Sequence, residues 1–157
     1  MSSHLWYASV MAMAVATPAI CETAPKDVVH VEGAVEASLT GVPGNPEEGV
    51  RIMTTNALGN CVACHQIAAL PDLEFPGTIA PALDGAGDRW TEAQLRGIVV
   101  NAKMTFEDSF MPAFYKVNGF IRPGDGFTGK AAPDPLPPIL NAQQIEDVVA
   151  FLVTLKE

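Results

Sequence analysis

Two thiols and an imidazole stand together in the run Cys61-Val62-Ala63-Cys64-His65. Thiols three positions apart on one tight helical turn can reach the two vinyl groups of a single porphyrin. The residue directly after the second thiol then places an imidazole under the iron. The run is C-x-x-C-H, the attachment pattern of c-type haem. Three other chemistries use some of the same residues. A thioredoxin-like dithiol expects a βαβ unit around it, and none is visible. Zinc takes four ligands; beyond these three residues only His30 is a further certain candidate, and there is no second closely spaced pair. A Cys61–Cys64 disulfide leaves His65 without a role. Covalent haem uses all three, with Cys61 and Cys64 as thioether sites and His65 as one axial ligand.

The iron has a second axial side. Methionine or histidine there gives a six-coordinate electron-transfer centre, whereas an open side gives gas or peroxide chemistry. His30 precedes the motif and serves only if the N-terminal arm wraps round. The later methionines are Met53, Met104 and Met111. Met53 falls on the apolar face of a predicted helix and reads as core filler. Met104 follows another helix in a polar stretch. Met111 lies in Phe110-Met111-Pro112, where the proline lacks a backbone donor and restricts Met111 to an extended geometry. A thioether held out at a fixed angle is what a ligand loop needs, so Met111 is favoured and Met104 stands second. In Ile79-Ala80-Pro81-Ala82-Leu83, a carbonyl could accept the Nδ1–H of His65 and fix its tautomer. Phe75, Trp90, Phe106, Phe110, Phe114 and Tyr115 are expected to line the haem crevice.

These side chains need elements to hold them. Glu47 and Glu48 open a helical pattern, since carboxylates in a first turn complement the helix dipole. Val50, Met53 and Ala57 recur at helical spacing and Gly59 can end that helix. Thr91 with Gln94 makes a capping-box pattern, followed by Leu95, Ile98 and Val99 on one stripe. The last helix follows Pro135-Leu136-Pro137-Pro138. Asn141 and Gln144 cap it; Ile145, Val148, Val149 and Leu152 form one face, with Phe151 and Leu155 beside it. So apolar a helix needs a partner, and the one around residues 50–57 is the obvious choice. No alternating strand pattern of useful length follows Arg51. Residues 112–140 form a long Gly- and Pro-rich loop, a length that is usually functional or tied to something.

The chain has 157 residues, about one domain. It is 48% hydrophobic and 17% charged, which excludes a solvated disordered chain. Nine Lys and Arg against 18 Asp and Glu give a net charge of -9, which argues against nucleic acid as a partner. Three Cys are too few for a disulfide scaffold. Residues 5–16 are an unbroken apolar run, too short to span a bilayer and suited to the core of a secretory signal peptide, although no Lys or Arg precedes it. We therefore expect a leader over residues 1–24 with an undefined cut, an extended arm over 25–46, and a domain over 47–157 exported to an oxidising compartment. Pro18-Ala19-Ile20 before Cys21 makes no convincing lipoprotein box.

Gly59-Asn60-Cys61-Val62-Ala63-Cys64-His65, Ala80-Pro81-Ala82-Leu83, Met111-Pro112 and the helix from Ile145 to Leu152 together resemble a class I cytochrome c. More narrowly, Gly87-Asp88-Arg89-Trp90, Leu95-Arg96-Gly97-Ile98-Val99, the stretch from Met111 to Val117 and Thr128-Gly129-Lys130 are similar to the SoxX family, the monohaem subunits of the SoxXA cytochromes of bacterial sulfur oxidation. The likeness covers roughly residues 47–157; Ala80 stands where that family often has Gly. It implies an all-α class I cytochrome c fold, its first and last helices crossing over the haem edge. It also implies one covalent haem c, thioethers at Cys61 and Cys64, and axial ligands His65 and Met111. The implied setting is a periplasmic complex with a SoxA-type subunit, not embedded in a membrane. That complex oxidatively joins thiosulfate to a cysteine of the SoxYZ carrier protein, an L-cysteine S-thiosulfotransferase activity. The reactive cysteine would sit on SoxA, and this chain would pass electrons to a diffusible cytochrome. A free-standing electron shuttle and a five-coordinate haem enzyme or gas sensor are the competing readings.

Overall fold

The computed structural model describes residues 21–73, 75–124 and 129–157. Most of the expected leader lies outside these residues. Among the described residues there are four α-helices: α1 (Pro46–Thr54), α2 (Ala86–Arg89), α3 (Glu92–Asn101) and α4 (Ala142–Leu152). Short 3-10 turns occupy Pro25–Asp27, Cys61–Ala63 and Ala102–Met104. Among the described residues the only β pairing is two isolated bridges. The expected all-α architecture is the one observed, and the stretch from 112 to 140 has no helix among its described residues.

Asn45 starts α1 by accepting the amide N–H groups of Glu47 and Glu48 on its side chain at 2.9 and 3.4 Å. Pro46 occupies the first helical position, where no donor is missed. The helix stops at Thr54, short of the Ala57 that the apolar spacing suggested. Threonine hydroxyls close its end: Thr54 Oγ1 donates to the Val50 carbonyl at 2.9 Å and Thr55 Oγ1 to that of Arg51 at 2.6 Å. Hydroxyls that satisfy the last carbonyls remove the incentive for another turn. Ala57 is exposed, and the buried face is Gly49, Ile52 and Met53.

Both predicted capping boxes form, Thr91 with Gln94 on α3 and Asn141 with Gln144 on α4. On α3 the buried apolar residues are Leu95, Val99 and Val100, while Ile98 is only half-buried. On α4, Ile145, Val148, Val149, Phe151 and Leu152 are all buried. The expected pairing of the first and last long helices is present, and α3 also packs against α4. Gly49 makes the first contact close. A Cβ there would lie 2.2 Å from the Asp147 carbonyl oxygen, so a larger residue would push the two helices apart.

Among the described residues three buried charges stand inside this core: Arg96, Glu146 and Asp147. Each is partnered. Arg96 Nε donates to the Glu146 carboxylate at 3.0 and 3.1 Å, and its Nη1 to the Val35 carbonyl at 2.9 Å. Glu146 also accepts the Leu39 N–H at 2.7 Å, and Asp147 accepts that of Asn45 at 2.8 Å. Two carboxylates of α4 thereby hold the N-terminal arm and the start of α1. The arm does not trail in solvent: Val35 and Leu39 are part of the core.

Candidate haem site

The attachment run begins where α1 has just ended. Gly59 returns its N–H to the Ile52 carbonyl at 3.1 Å, and Asn60 takes a left-handed conformation, φ 46°. Cys61–Ala63 then wind as a 3-10 turn in contact with α1. The Cys61 carbonyl accepts the N–H of both Cys64, at 3.1 Å, and His65, at 3.0 Å. This turn compacts the pentapeptide so that all three functional side chains leave one short loop. Cys61 packs against the core and Cys64 is exposed. Burial, opposed by a hydrogen bond from its own backbone, pushes the Cys61 thiol up to about 12.

A second segment runs alongside. Gly77 N–H donates to the Val62 carbonyl at 2.8 Å, Ala80 to Cys64 at 3.0 Å and Leu83 to Gln66 at 3.0 Å. Only glycine allows the first of these approaches, since a Cβ on residue 77 would lie 1.9 Å from the Ala63 carbonyl oxygen. The three bonds bring the Pro81 carbonyl to 2.6 Å from His65 Nδ1. A carbonyl only accepts, so that nitrogen carries the proton, and in the neutral ring Nε2 is left with a free lone pair. This is the tautomer an iron-binding imidazole needs. The role expected for the Ile79–Leu83 stretch is met by Pro81.

The three methionines separate cleanly. Met53 is 1% exposed and belongs to the core, as expected, whereas Met104 is half exposed. Met111 is partly buried and packs against the core. His30 lies against α3, bonded to the Gly97 backbone, and its Nε2 is buried without a partner. Burial holds its pKa below the ordinary histidine value.

The aromatic residues do not act as one wall. Phe114 and Tyr115 are core residues, Tyr115 donating its hydroxyl to the Thr23 carbonyl at 2.8 Å and to Glu22 at 3.1 Å. Trp90 and Phe106 meet edge to face with centroids 5.9 Å apart. Phe75 and Phe110 are 96% and 83% exposed. Apolar rings left that open give a large flat ligand or a partner chain something to cover.

The two thiols and the imidazole, with Nδ1 bound to the Pro81 carbonyl and Nε2 left free, fit a covalently attached haem. Zinc is not supported: among the described residues no three His, Cys, Asp or Glu side chains come together as a metal site. A surface groove lined by residues such as Val117, Phe120, Pro133 and Leu136 contains none of these donors.

The family model for cytochrome c matches residues 46–156. The chain belongs to the cytochrome c family. With that membership comes the covalently bound haem c read from the pentapeptide. A solved structure sharpens the likeness: a chain in the crystal structure of SoxXA from P. pantotrophus is 88% identical, with a TM-score of 0.84. The match covers 87% of this chain and 100% of that one. No curated protein matches the sequence. The class I cytochrome c fold and the narrower resemblance to the SoxX family are thus both supported by comparison. Among the described residues no helix is long and apolar enough to cross a membrane.

Proposed function

We propose that this chain is the monohaem electron-transfer subunit of a SoxXA-type complex. The observation that carries the reading is the 88% identity over the whole length of a chain in a SoxXA structure. Cys61 and Cys64 would hold the haem through thioether links, and His65 and Met111 would bind its iron. When bound, the haem supplies a one-electron couple.

The chain's own residues set the conditions for that couple. The Pro81 carbonyl keeps the His65 ring in one tautomer and one orientation. As a soft donor to that iron, the Met111 thioether would favour the ferrous state and raise the potential. With His65 and Met111 both on the iron, substrate would have no open position there, which assigns the bond-making to the partner. In the complex, a SoxA-type subunit carries the reactive cysteine. Joining a sulfur of thiosulfate to the thiol of a SoxYZ carrier cysteine forms one S–S bond. The thiol gives up its proton and two electrons leave. A one-electron carrier takes them singly and hands each to a diffusible cytochrome. The setting is the periplasm, reached through a leader within residues 1–24.

Purification of the native protein tests the assignment. We expect a stable complex with a second haem-bearing chain. A stable monomer with no such partner supports a free-standing shuttle instead. For the ligand set, Met111→Ala should abolish the methionine–ferric iron charge-transfer band and lower the potential. An unchanged spectrum removes Met111 from the site, and rapid carbon monoxide binding by the untreated ferrous protein points to an open sixth position.

A further inference from the structure

The segment that presents Met111 has little main-chain support of its own. Pro112 has no N–H to give. Among the described residues, no main-chain N–H from Phe110 to Phe114 reaches another main-chain carbonyl. The firm points lie on either side. Upstream, Phe106 N–H closes onto the Ala102 carbonyl at 2.8 Å, and downstream Tyr115 N–H reaches that of Val100 at 3.2 Å.

Two side chains fill the gap between them. Lys103 Nζ donates to the Ser109 carbonyl at 2.5 Å and reaches the Met111 carbonyl at 3.4 Å. The Ser109 hydroxyl accepts the Met111 N–H at 3.2 Å. Both polar groups of the Met111 backbone are therefore held by side chains, and Met111 is the residue on which they converge. Lys103 is well placed for this. Its neighbour Ala102 is 1% exposed, so the backbone under the lysine is anchored in the core at the end of α3. An ammonium group bonding two carbonyls of one loop is a charge-assisted contact, stronger than a neutral one.

We propose that Lys103, aided by Ser109, positions the Met111 backbone and so holds the thioether on the iron. The role rests on Met111 being the axial ligand. Lys103 touches neither iron nor porphyrin in this scheme. It acts by resisting the outward swing of the loop that any competing ligand requires.

Imidazole binding to the ferric holoprotein reads that swing directly. Lys103→Met keeps most of the stem and deletes the donors. It should bind imidazole about five- to tenfold more tightly than the parent, the size of one charge-assisted hydrogen bond discounted for exposure. Its methionine–iron charge-transfer band should weaken. Lys103→Arg retains a cationic donor and should stay within about twofold of the parent, a factor worth less than one hydrogen bond. Ser109→Ala gives a second and gentler variant that should move in the same direction as Lys103→Met. Equal imidazole affinity in the parent, Lys103→Met and Ser109→Ala overturns the proposal, as does an arginine variant as permissive as the methionine one. Met111→Ala separates the two readings. If it keeps the parent spectrum, the ligand assignment and the clamp fall together. If it loses the band while Lys103→Met behaves as the parent, only the clamp falls.

Discussion

The proton on His65 Nδ1 is placed by a backbone carbonyl, and a backbone carbonyl cannot be mutated away. The sensitive point is instead Gly77, which lets the carbonyl-bearing segment lie against the attachment run. A Cβ at 1.9 Å from the Ala63 oxygen has nowhere to go, because the obstacle is main chain. Gly77→Ala should destabilise the holoprotein by roughly 2–4 kcal/mol, the range of severe steric replacements, as measured by guanidinium unfolding. The attachment pentapeptide was legible in the sequence because its residues are adjacent and their types are chemically specific. The Pro81 contact was legible as a stretch rather than a residue. Gly77 and Lys103 left no such mark. A glycine in a loop and a lysine beside polar neighbours are ordinary until the segment each one touches is known.

At the scale of elements, the caps were the most readable features. Asn141 and Thr91 start their helices through partners three residues away, an interaction that needs nothing beyond the local chain. The end of α1 was misjudged because Thr54 and Thr55 close it with hydroxyls before Gly59 is reached. The charges within the core were not foreseen at all, since Arg96, Glu146 and Asp147 sit in patterns that usually mark a solvated helix face. Their burial has consequences. Arg96 and Glu146 are 4% and 5% exposed at the side chain, so water does not screen the pair. Arg96→Met strands the Glu146 carboxylate and the Val35 carbonyl, and should cost about 3–5 kcal/mol. Adding Glu146→Gln to that variant should recover part of the loss, because no naked charge then remains. A denaturant series on the two variants decides it, and a single variant as stable as the parent would show that the pair does not hold the arm.

For the molecule as a whole, two titrating groups bracket the stable range of pH. His30 is held below its ordinary value of 6.5 chiefly by burial, so the unfolded chain binds its proton more readily than the folded one. Its contribution is complete above about 6.5 and is lost as the pH falls below that value. Tyr115 is raised from 10.0 to about 12, by burial first and then by its bond to Glu22. Its contribution is complete below 10.0 and is lost as the pH climbs toward 12. Urea midpoints should fall on both flanks, with the acid flank shallower in His30→Gln and the alkaline flank shallower in Tyr115→Phe. The aromatic set shows why global arrangement was harder to read than local motif. Composition alone does not distinguish Phe114, which fills the core, from Phe110, which stands open. The pairing of α1 with α4 carries a further consequence. Ile52 and Met53, near the beginning of the domain, pack in a core closed by residues at its other end. A nascent chain still lacking its last helix has nothing to condense upon. The core therefore stays open until α4 has been made and can close it.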